Sequence, residues 1–566
     1  MRMKILIIGG VAGGASAAAK LRRFSEEDKI IMFEKGPHVS FSNCALPYHL
    51  SGMIEPAQKL VLMNPEKFKK QYAIEARVNQ EVVYIDRKRK VVKVLDLLTN
   101  ETYEESYDKL ILSPGAKPNQ LAIPGLESLP VFTIRNVVDI SKIKAYLIEN
   151  QLKQVTVIGG GYIGIEVAEN IREAGYEVTI VESTSQILRT FDEEMVQIFH
   201  KVLHDHGIKL LLNHQIKRIH QGEIVLSNGE SIPTQMILMA VGVKAESKLA
   251  KEAEIELSQN GSIQVNDTYQ TNDPDIYAIG DAIEVDHLLT GEKVRLTLAG
   301  PAQKAARAVA SHINGEEIKK AAYIGSSAIK VFEYNGAATG LTEQLIKERK
   351  MPVNYDKVHF ILGDKVGLMP DSHPMHFKLI FEKPSGKVLG AQAIGKGNVD
   401  KRIDVIATAI KLGATVYDLR ELELCYAPPF GTAKDIVNYA GYIACNILEE
   451  RFKQVSIDKV RDLLEEKAYF VDVREKGEYE RGHINGAHLV PLSELRERIN
   501  EIPKDEPVYI HCRTGQRSYN AVLALQNMGY SNVINVTGGF LGLSFYEFFR
   551  DQVEPRDKIL TEYNFN

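Results

Sequence analysis

Short apolar runs that close on a glycine or an acid punctuate the first half of the chain: residues 4–9 (KILIIG), 29–34 (KIIMFE), 109–115 (KLILSPG), 154–159 (QVTVIG), 177–182 (EVTIVE), 236–242 (MILMAVG) and 276–281 (IYAIGD). Continuous rather than alternating apolar character is what a strand needs when both faces of a parallel sheet are covered. Between the first two runs, residues 15–23 read as a small-residue helix, and between the fourth and fifth, residues 165–174 read as another, with Gly175 as its stop. Strand, helix, strand therefore occurs twice, about 150 residues apart. Residues 326–446 mix strand and helix patterns of their own. A fresh set of elements begins at Gln454, and it includes a strand at 508–511 (VYIH), a loop at 512–517 (CRTGQR) and a helix from Ser518 onward with Ser518 as its cap.

Composition narrows the class without changing this picture. A chain of 566 residues with 44% hydrophobic and 25% charged residues has the balance of a globular protein of about three or four domains. Its formal charge of -5 sets up no field for nucleic acid. The four cysteines (Cys44, Cys425, Cys445, Cys512) lack paired spacing, so neither a disulfide framework nor a metal site is expected. A special cysteine here is expected to be reactive, with Cys425 and Cys445 in the core. The start of the chain is not expected to be a signal peptide, because Gly9, Gly10, Gly13 and Gly14 interrupt the apolar run and Lys20, Arg22 and Arg23 follow. No run approaches the roughly 18 to 20 apolar residues that span a bilayer. A cytoplasmic protein without membrane or nucleic-acid partners is expected.

The glycine turns carry the first chemistry. Gly159, Gly161 and Gly164 have the full G-x-G-x-x-G spacing between a strand and a helix, where backbone N–H groups at the positive helix end meet phosphate oxygens. Glu182, 23 residues after Gly159, is placed to accept hydrogen bonds from a ribose 2′-hydroxyl and to repel a 2′-phosphate, which favours NADH over NADPH. The earlier turn, Gly9-Gly10-Val11-Ala12-Gly13-Gly14, has Val11 where the second glycine belongs, but Glu34 closes its next strand in the same way. Asp281 ends the 276–281 run, where its carboxylate could bind a polyol hydroxyl. The fold class expected is α/β: two Rossmann-like dinucleotide-binding domains, an α+β domain and a C-terminal α/β domain.

Through the GGVAGG and GGGYIG turns, the LILSPGA segment and the TNDPDIYAIGD segment, residues 1 to about 445 resemble the pyridine nucleotide–disulfide reductases. The resemblance implies an FAD-binding domain over residues 1–115 and 245–325, an NAD(P)H-binding domain over 116–244 and a dimerisation domain over 326–446, hence a homodimer. It implies that Gly9, Val11, Ala12, Gly13, Gly14, Glu34, Lys35, Ser113, Gly115, Gly280, Asp281 and Ala299 serve FAD. Gly159, Gly161, Tyr162, Ile163, Gly164, Glu182 and Gly242 then serve the nicotinamide side, with Tyr162 covering the flavin until nicotinamide arrives and Glu166 a neighbouring acid.

The family's paired cysteines are replaced here by one, in residues 40–48 (SFSNCALPY). A single thiol forms a mixed disulfide, a persulfide or a sulfenic acid rather than an internal disulfide. The stretch is similar to the single-cysteine branch, which includes CoA-disulfide reductases, NADH oxidases and NADH peroxidases, and this implies that Cys44 receives electrons from NADH through the flavin. The resemblance further implies that Ser16, Lys20, Arg23, Ser40, Asn43, Gln303 and Lys434 contact coenzyme A, as substrate or bound cofactor, and that Tyr426 reaches the partner subunit's active site. Leu368-Met369-Pro370 stands where related reductases carry Tyr-Tyr-Pro, so a second active-site tyrosine is expected to be missing.

Around Cys512 the loop opens a helix, so amides, helix dipole and the Arg517 guanidinium are all expected to favour a thiolate and an attached persulfide. Together with Asp472, Arg474, Glu478, His483 and Gly538-Gly539-Phe540, residues 455–553 resemble the rhodanese family. The whole chain is therefore expected to be an FAD-dependent NADH:CoA-persulfide, polysulfide or CoA-disulfide reductase in which Cys512 carries sulfane sulfur. The alternatives are an NADH oxidase or peroxidase using a Cys44 sulfenic acid, and a sulfurtransferase with a redox-sensing flavin domain.

Overall fold

The computed structural model describes residues 2–220, 222–319 and 321–565. It forms two compact units, Met1–Thr184 with Leu211–Tyr323, and Ser185–Leu210 with Ile324–Asn566.

In the first unit one parallel sheet runs in the order Ile276–Ala278, Lys109–Leu112, Lys4–Ile8, Lys29–Glu34, Glu75–Val78. Its central strand buries Ile5, Leu6 and Ile7 completely, which is why the run carries no polar alternation. The Ala12–Arg22 and Ala299–Ile313 helices pack on each other. The first begins at Ala12, not Ala15, so Gly13 and Gly14 lie in its opening turn. A second parallel sheet places Glu177–Val181, Gln154–Ile158, Met236–Met239 and Val131–Phe132 side by side, with the Tyr162–Glu173 helix following its central strand.

The second unit has an antiparallel sheet in the order Ser327–Val331, Tyr334–Gly340, Val388–Gly395, Pro374–Glu382, Tyr355–Gly363. A parallel sheet follows: Lys453–Val455, Val533–Val536, Val508–His511, Tyr469–Asp472, His488–Leu489. Two local expectations fail here. The helix after the Cys512 loop starts at Gln516 with Gly515 as its cap, at φ +102, and Ser518 sits inside it, its hydroxyl donating back to the Gly515 carbonyl at 3.1 Å. Cys425 is exposed, because it lies in the irregular stretch after the Val416–Glu421 helix, whereas Cys445 is buried as expected.

Residues 185–210 belong to this unit through a buried charge cluster. The Lys378 ammonium, with no exposed surface, lies 2.6 Å from Asp192, 2.5 Å from Glu194 and 2.6 Å from Glu343. Those three carboxylates have the spacing of a cation site, and the lysine fills it. Although burial pushes the Glu343 carboxyl up, Lys378 and Lys357 hold it down to about 2. A carboxyl depressed from 4.5 stabilises the fold above that value and loses its contribution as pH falls toward 2. Lys378→Met strands three buried carboxylates and is expected to cost about 3–5 kcal/mol at neutral pH. In urea unfolding the deficit should shrink on acidification as the carboxylates protonate; an unchanged midpoint at pH 7 would show that the cluster is not a stabilising element.

Candidate functional site

The two nucleotide turns share one construction. Gly9 leaves its strand at φ +99 and Gly159 at φ +105. A Cβ on Gly9 would stand 2.0 Å from the Ser113 carbonyl oxygen, and one on Gly159 2.5 Å from that of Ala240. Inside the helices, a Cβ on Gly14 or Gly164 would stand 1.8 or 2.0 Å from the carbonyl oxygen of Gly9 or Gly159. Strand and helix thus approach closer than any side chain permits. Neither helix start, at Val11 or at Gly161, has a side-chain cap, which leaves first-turn amides for an anion. A Cβ on Gly161 would meet nothing within 4 Å, so its turn faces open space, and Ile163 beside it is exposed.

Both closing acids are held by the turns themselves. Glu34 accepts from the amides of Gly10 and Gly36, each at 2.9 Å. Glu182 accepts from Gly160 N at 2.7 Å and from Thr184 N and Oγ1 at 2.9 Å. Each carboxylate is therefore fixed at the mouth of its turn. Removing the Glu182 charge by Glu182→Ala should raise the NADPH-to-NADH ratio of kcat/KM by about tenfold. Steady-state rates with both nucleotides test this, and an unaltered ratio would take Glu182 out of cofactor selection.

A cleft of about 400 Å³ runs from the first turn to the end of the Ile276–Ala278 strand. It gathers Gly9, Val11, Ala12, Gly13, Glu34, Lys35, Ser113, Gly115, Gly280 and Asp281, with Ala302 on its wall one turn beyond Ala299. Arg135, which the sequence did not single out, also lines it. Its Nη2 lies 3.9 Å from Asp281, and a Cβ on Gly115 would be 2.5 Å from the same nitrogen. Burial pushes the Asp281 carboxyl up, and Arg135 and Arg295 oppose this. Gly242 turns at φ +83 after the Met236–Met239 strand.

Cys44 sits in the 3-10 turn Asn43–Ala45, just ahead of the Pro47–Leu50 helix, and Asn43 shares the cleft. Cys44 is solvent-exposed, yet the protein mass around the sulfur, then Glu166 and then Asp281, push its thiol up. Burial raises Glu166 itself to about 7. The Asn43 Oδ1 is buried without a partner. A thiol whose thiolate is disfavoured in this way needs a cation, a dipole or an electron-poor ring system to become nucleophilic.

A second cavity, about 250 Å³, brings together Ser16, Lys20, Arg23, Ser40 and Gln303. Arg307 and Tyr72 join them. Arg307 stands four residues after Gln303 on one helix, a spacing that puts both on one face. Arg22 is turned inward, donating to the carbonyls of Tyr72, Ser25, Asp28 and Ala73. Three cations without a carboxylate in the lining suit phosphate groups.

In the second unit Tyr426 is 49% exposed, Phe430 62% and Leu368 91%. Their loops are tied together by the buried Arg402, whose Nη2 donates to Asp364 O, Phe430 O and Asp435 Oδ2. Lys434 lies at this junction, beside the Ile436–Leu448 helix.

Cys512 is buried at the end of the Val508–His511 strand. Its sulfur accepts from Gly515 N at 3.1 Å and lies 3.5 Å from the Ser518 hydroxyl. Arg517 does not donate to it. Both its Nη atoms pair with Glu478, at 2.6 and 2.7 Å, so the guanidinium acts on the loop through charge rather than contact. Behind the loop the fully buried Arg474 chelates Asp472, donates to Gly482 O at 2.7 Å and lies over the Phe540 ring. His483 is held by its Nδ1 against Tyr479 O at 3.0 Å. The sulfur therefore faces one backbone amide and one hydroxyl at a helix start.

Residues 3–306 match the pyridine nucleotide-disulphide oxidoreductase family, residues 326–435 its dimerisation domain and residues 456–544 the rhodanese-like domain. A Coenzyme A disulfide reductase of Staphylococcus epidermidis is 36% identical over 442 residues, which is 78% of this chain and 99% of that protein. The crystal structure of reduced Bacillus anthracis CoADR-RHD is 44% identical, covers 98% of this chain and 99% of its own, and superposes with a TM-score of 0.92. A NAD-dependent persulfide reductase from A. fulgidus is 31% identical, covers 96% of this chain and 100% of its own, and gives a TM-score of 0.90.

Proposed function

Because the chain belongs to the pyridine nucleotide-disulphide oxidoreductase family and carries a rhodanese-like domain, we propose that it is a cytoplasmic, homodimeric NADH-dependent reductase of CoA persulfides, polysulfides or CoA disulfide. Electrons reach Cys44, and sulfane sulfur is carried on Cys512. The full-length likeness to a persulfide reductase, rhodanese-like domain included, carries the persulfide side of this reading.

The cofactors of the family are FAD and NAD(H), and the residues present fit them. The cleft beside Cys44 has an uncapped helix start at one end and the Asp281 carboxyl at the other, with glycines where a Cβ would collide with backbone. The Glu182 turn supplies a second site of the same kind. When bound, flavin and nicotinamide supply the two electrons that a single thiol lacks. Cys44 supplies the covalent chemistry. Its thiolate attacks the inner sulfur of R–S–SH, the S–S bond breaks, and hydrosulfide leaves as Cys44–S–S–R forms. Two electrons and a proton then release R–SH and regenerate the thiolate. Glu166, poised near neutrality beside Cys44, is suited to hold that proton. The cavity with Lys20, Arg23 and Arg307 suits the phosphates of CoA. Exposed Tyr426 and Phe430, at the end of the matched dimerisation domain, suit burial against a second subunit. Among the described residues no helix is long and apolar enough to cross a membrane. Four free cysteines suit the reducing cytoplasm.

The experiment is anaerobic NADH oxidation with CoA persulfide, CoA disulfide or no acceptor, with sulfide followed in parallel. Sulfide released one for one with NADH in the persulfide arm is expected. Turnover that requires air and no thiol substrate would replace this reading with an oxidase.

A further inference from the structure

Within the second unit a cavity of about 320 Å³ lies between the Tyr355–Gly363 strand, the Ile436–Leu448 helix and the rhodanese-like domain. Apart from Lys434, which the family resemblance implies for coenzyme A contact, and Gly515, which donates to the Cys512 sulfur, its lining has no part in the chemistry proposed at Cys44 and Cys512. Its walls are apolar and aromatic, with Phe360, Ile361, Tyr439, Ile443, Phe452 and Tyr519 among them. Three polar side chains in it, His359, Asn535 and Thr537, are 4%, 6% and 5% exposed. Both ring nitrogens of His359, Oδ1 of Asn535 and Oγ1 of Thr537 have no hydrogen-bond partner. Buried polar atoms are rarely left so, and a cluster of them in an apolar pocket marks a ligand that supplies the missing bonds. Burial, and then His376 and Lys378, keep His359 neutral, so this part of the lining suits an uncharged donor or acceptor. Lys434 is the lining's one lysine or arginine and no carboxylate lines it, so the remaining charge preference is for an anion.

The same cavity touches the sulfur-carrying loop from two sides. Thr514, Gly515 and Gln516 line it, and Gly515 N is the donor to the Cys512 sulfur. On the other side a Cβ on Gly538 would stand 3.1 Å from the His359 ring. Phe540 N and Leu541 N, just beyond Gly538, hold the carbonyls of Cys512 and Arg513 at 2.8 Å. We propose that this cavity binds a small aromatic monoanion with a hydroxyl or amide at the end away from its charge, and that its occupancy alters the reactivity of Cys512. The inference goes beyond the function proposed above and does not depend on it.

The probe is 4-hydroxyphenylacetate, titrated calorimetrically into the flavin-loaded full chain, with phenylacetate and 4-hydroxyphenethylamine for comparison. Saturable binding of one probe per chain is expected, about tenfold weaker for phenylacetate, which lacks the hydroxyl, and undetectable for the amine. Ile443→Trp, which fills the pocket, should weaken the probe by about tenfold or more. His359→Leu, which leaves the wall intact, should bring the probe to the phenylacetate level. Saturating probe should change the iodoacetamide alkylation rate of Cys512, read by mass spectrometry, by about threefold, with the Cys44 rate unaltered. No saturable binding, binding indifferent to His359→Leu, or an unchanged Cys512 rate would each overturn the proposal.

Discussion

Cys44→Ser is expected to lower NADH oxidation with a CoA persulfide or disulfide by about 10³-fold or more, with flavin still bound. Serine fits the same 3-10 turn, because Asn43–Ala45 is held by backbone bonds, from Ala45 N to Ser42 O and from Leu46 N to Asn43 O. Nothing in the fold is therefore removed except the sulfur. The hydroxyl neither attacks an S–S bond nor forms one, so the covalent intermediate is lost rather than slowed. A thiol pushed up by its surroundings makes the prediction sharper: the flavin and the incoming substrate must bring out its reactivity, and a free surface cysteine of this kind would not react by accident. The measurement is anaerobic stopped-flow, following flavin reduction by NADH and then its reoxidation by the acceptor. Reduction should persist and reoxidation should fail. If the serine variant turns over acceptor at more than a few per cent of the parent rate, Cys44 is not in the path of the electrons.

The parts of this protein that were legible in its sequence are those fixed by local geometry. The glycine turns could be read because strand and helix approach so closely there that only hydrogen fits, at Gly9 and Gly14 and again at Gly159 and Gly164. The absence of polar alternation in residues 4–8 reported a strand covered on both faces, and Ile5, Leu6 and Ile7 are fully buried. The Cys512 loop could be read because strand, six-residue loop and helix are contiguous. What was missed depends on tertiary pairing. The Arg517 guanidinium was expected to favour the Cys512 thiolate, and what the sequence did not show is that Glu478, distant in sequence, takes both its Nη atoms, so that it acts on the loop through charge. Ser518 was read as a cap because serine prefers that position, whereas Gly515 reaches a left-handed φ of +102 at no cost and starts the helix earlier. Cys425 was assigned to the core on residue type alone and is exposed. The Lys378 cluster, which holds residues 185–210 to the second unit, joins positions almost two hundred residues apart and leaves no periodic trace.

Cys512→Ser should separate the two chemistries. Sulfane transfer from thiosulfate to cyanide is expected to fall by about 10³-fold, while reduction of a small disulfide by NADH stays within about twofold of the parent. In the transfer the outer sulfur of thiosulfate moves to the Cys512 thiolate as sulfite leaves, and cyanide then removes it as thiocyanate. No electrons from nicotinamide are consumed, so nothing in this cycle draws on Cys44. The loop is built for one sulfur: Gly515 N and the Ser518 hydroxyl face it, and Phe540 N and Leu541 N secure the backbone behind it. A serine oxygen can accept the same bonds, and Cys512 belongs to an apolar cluster with Phe452, Val471 and Ile510 that the exchange leaves filled. The fold should therefore survive, which circular dichroism and an unchanged flavin spectrum would check. The informative substrate is the persulfide itself. If Cys512 loads sulfur for Cys44, the serine variant should keep its rate with CoA persulfide and lose it when polysulfide or thiosulfate is the only sulfur source. Equal loss with every acceptor, the small disulfide included, would mean that the two cysteines form a single site with no division of labour between them.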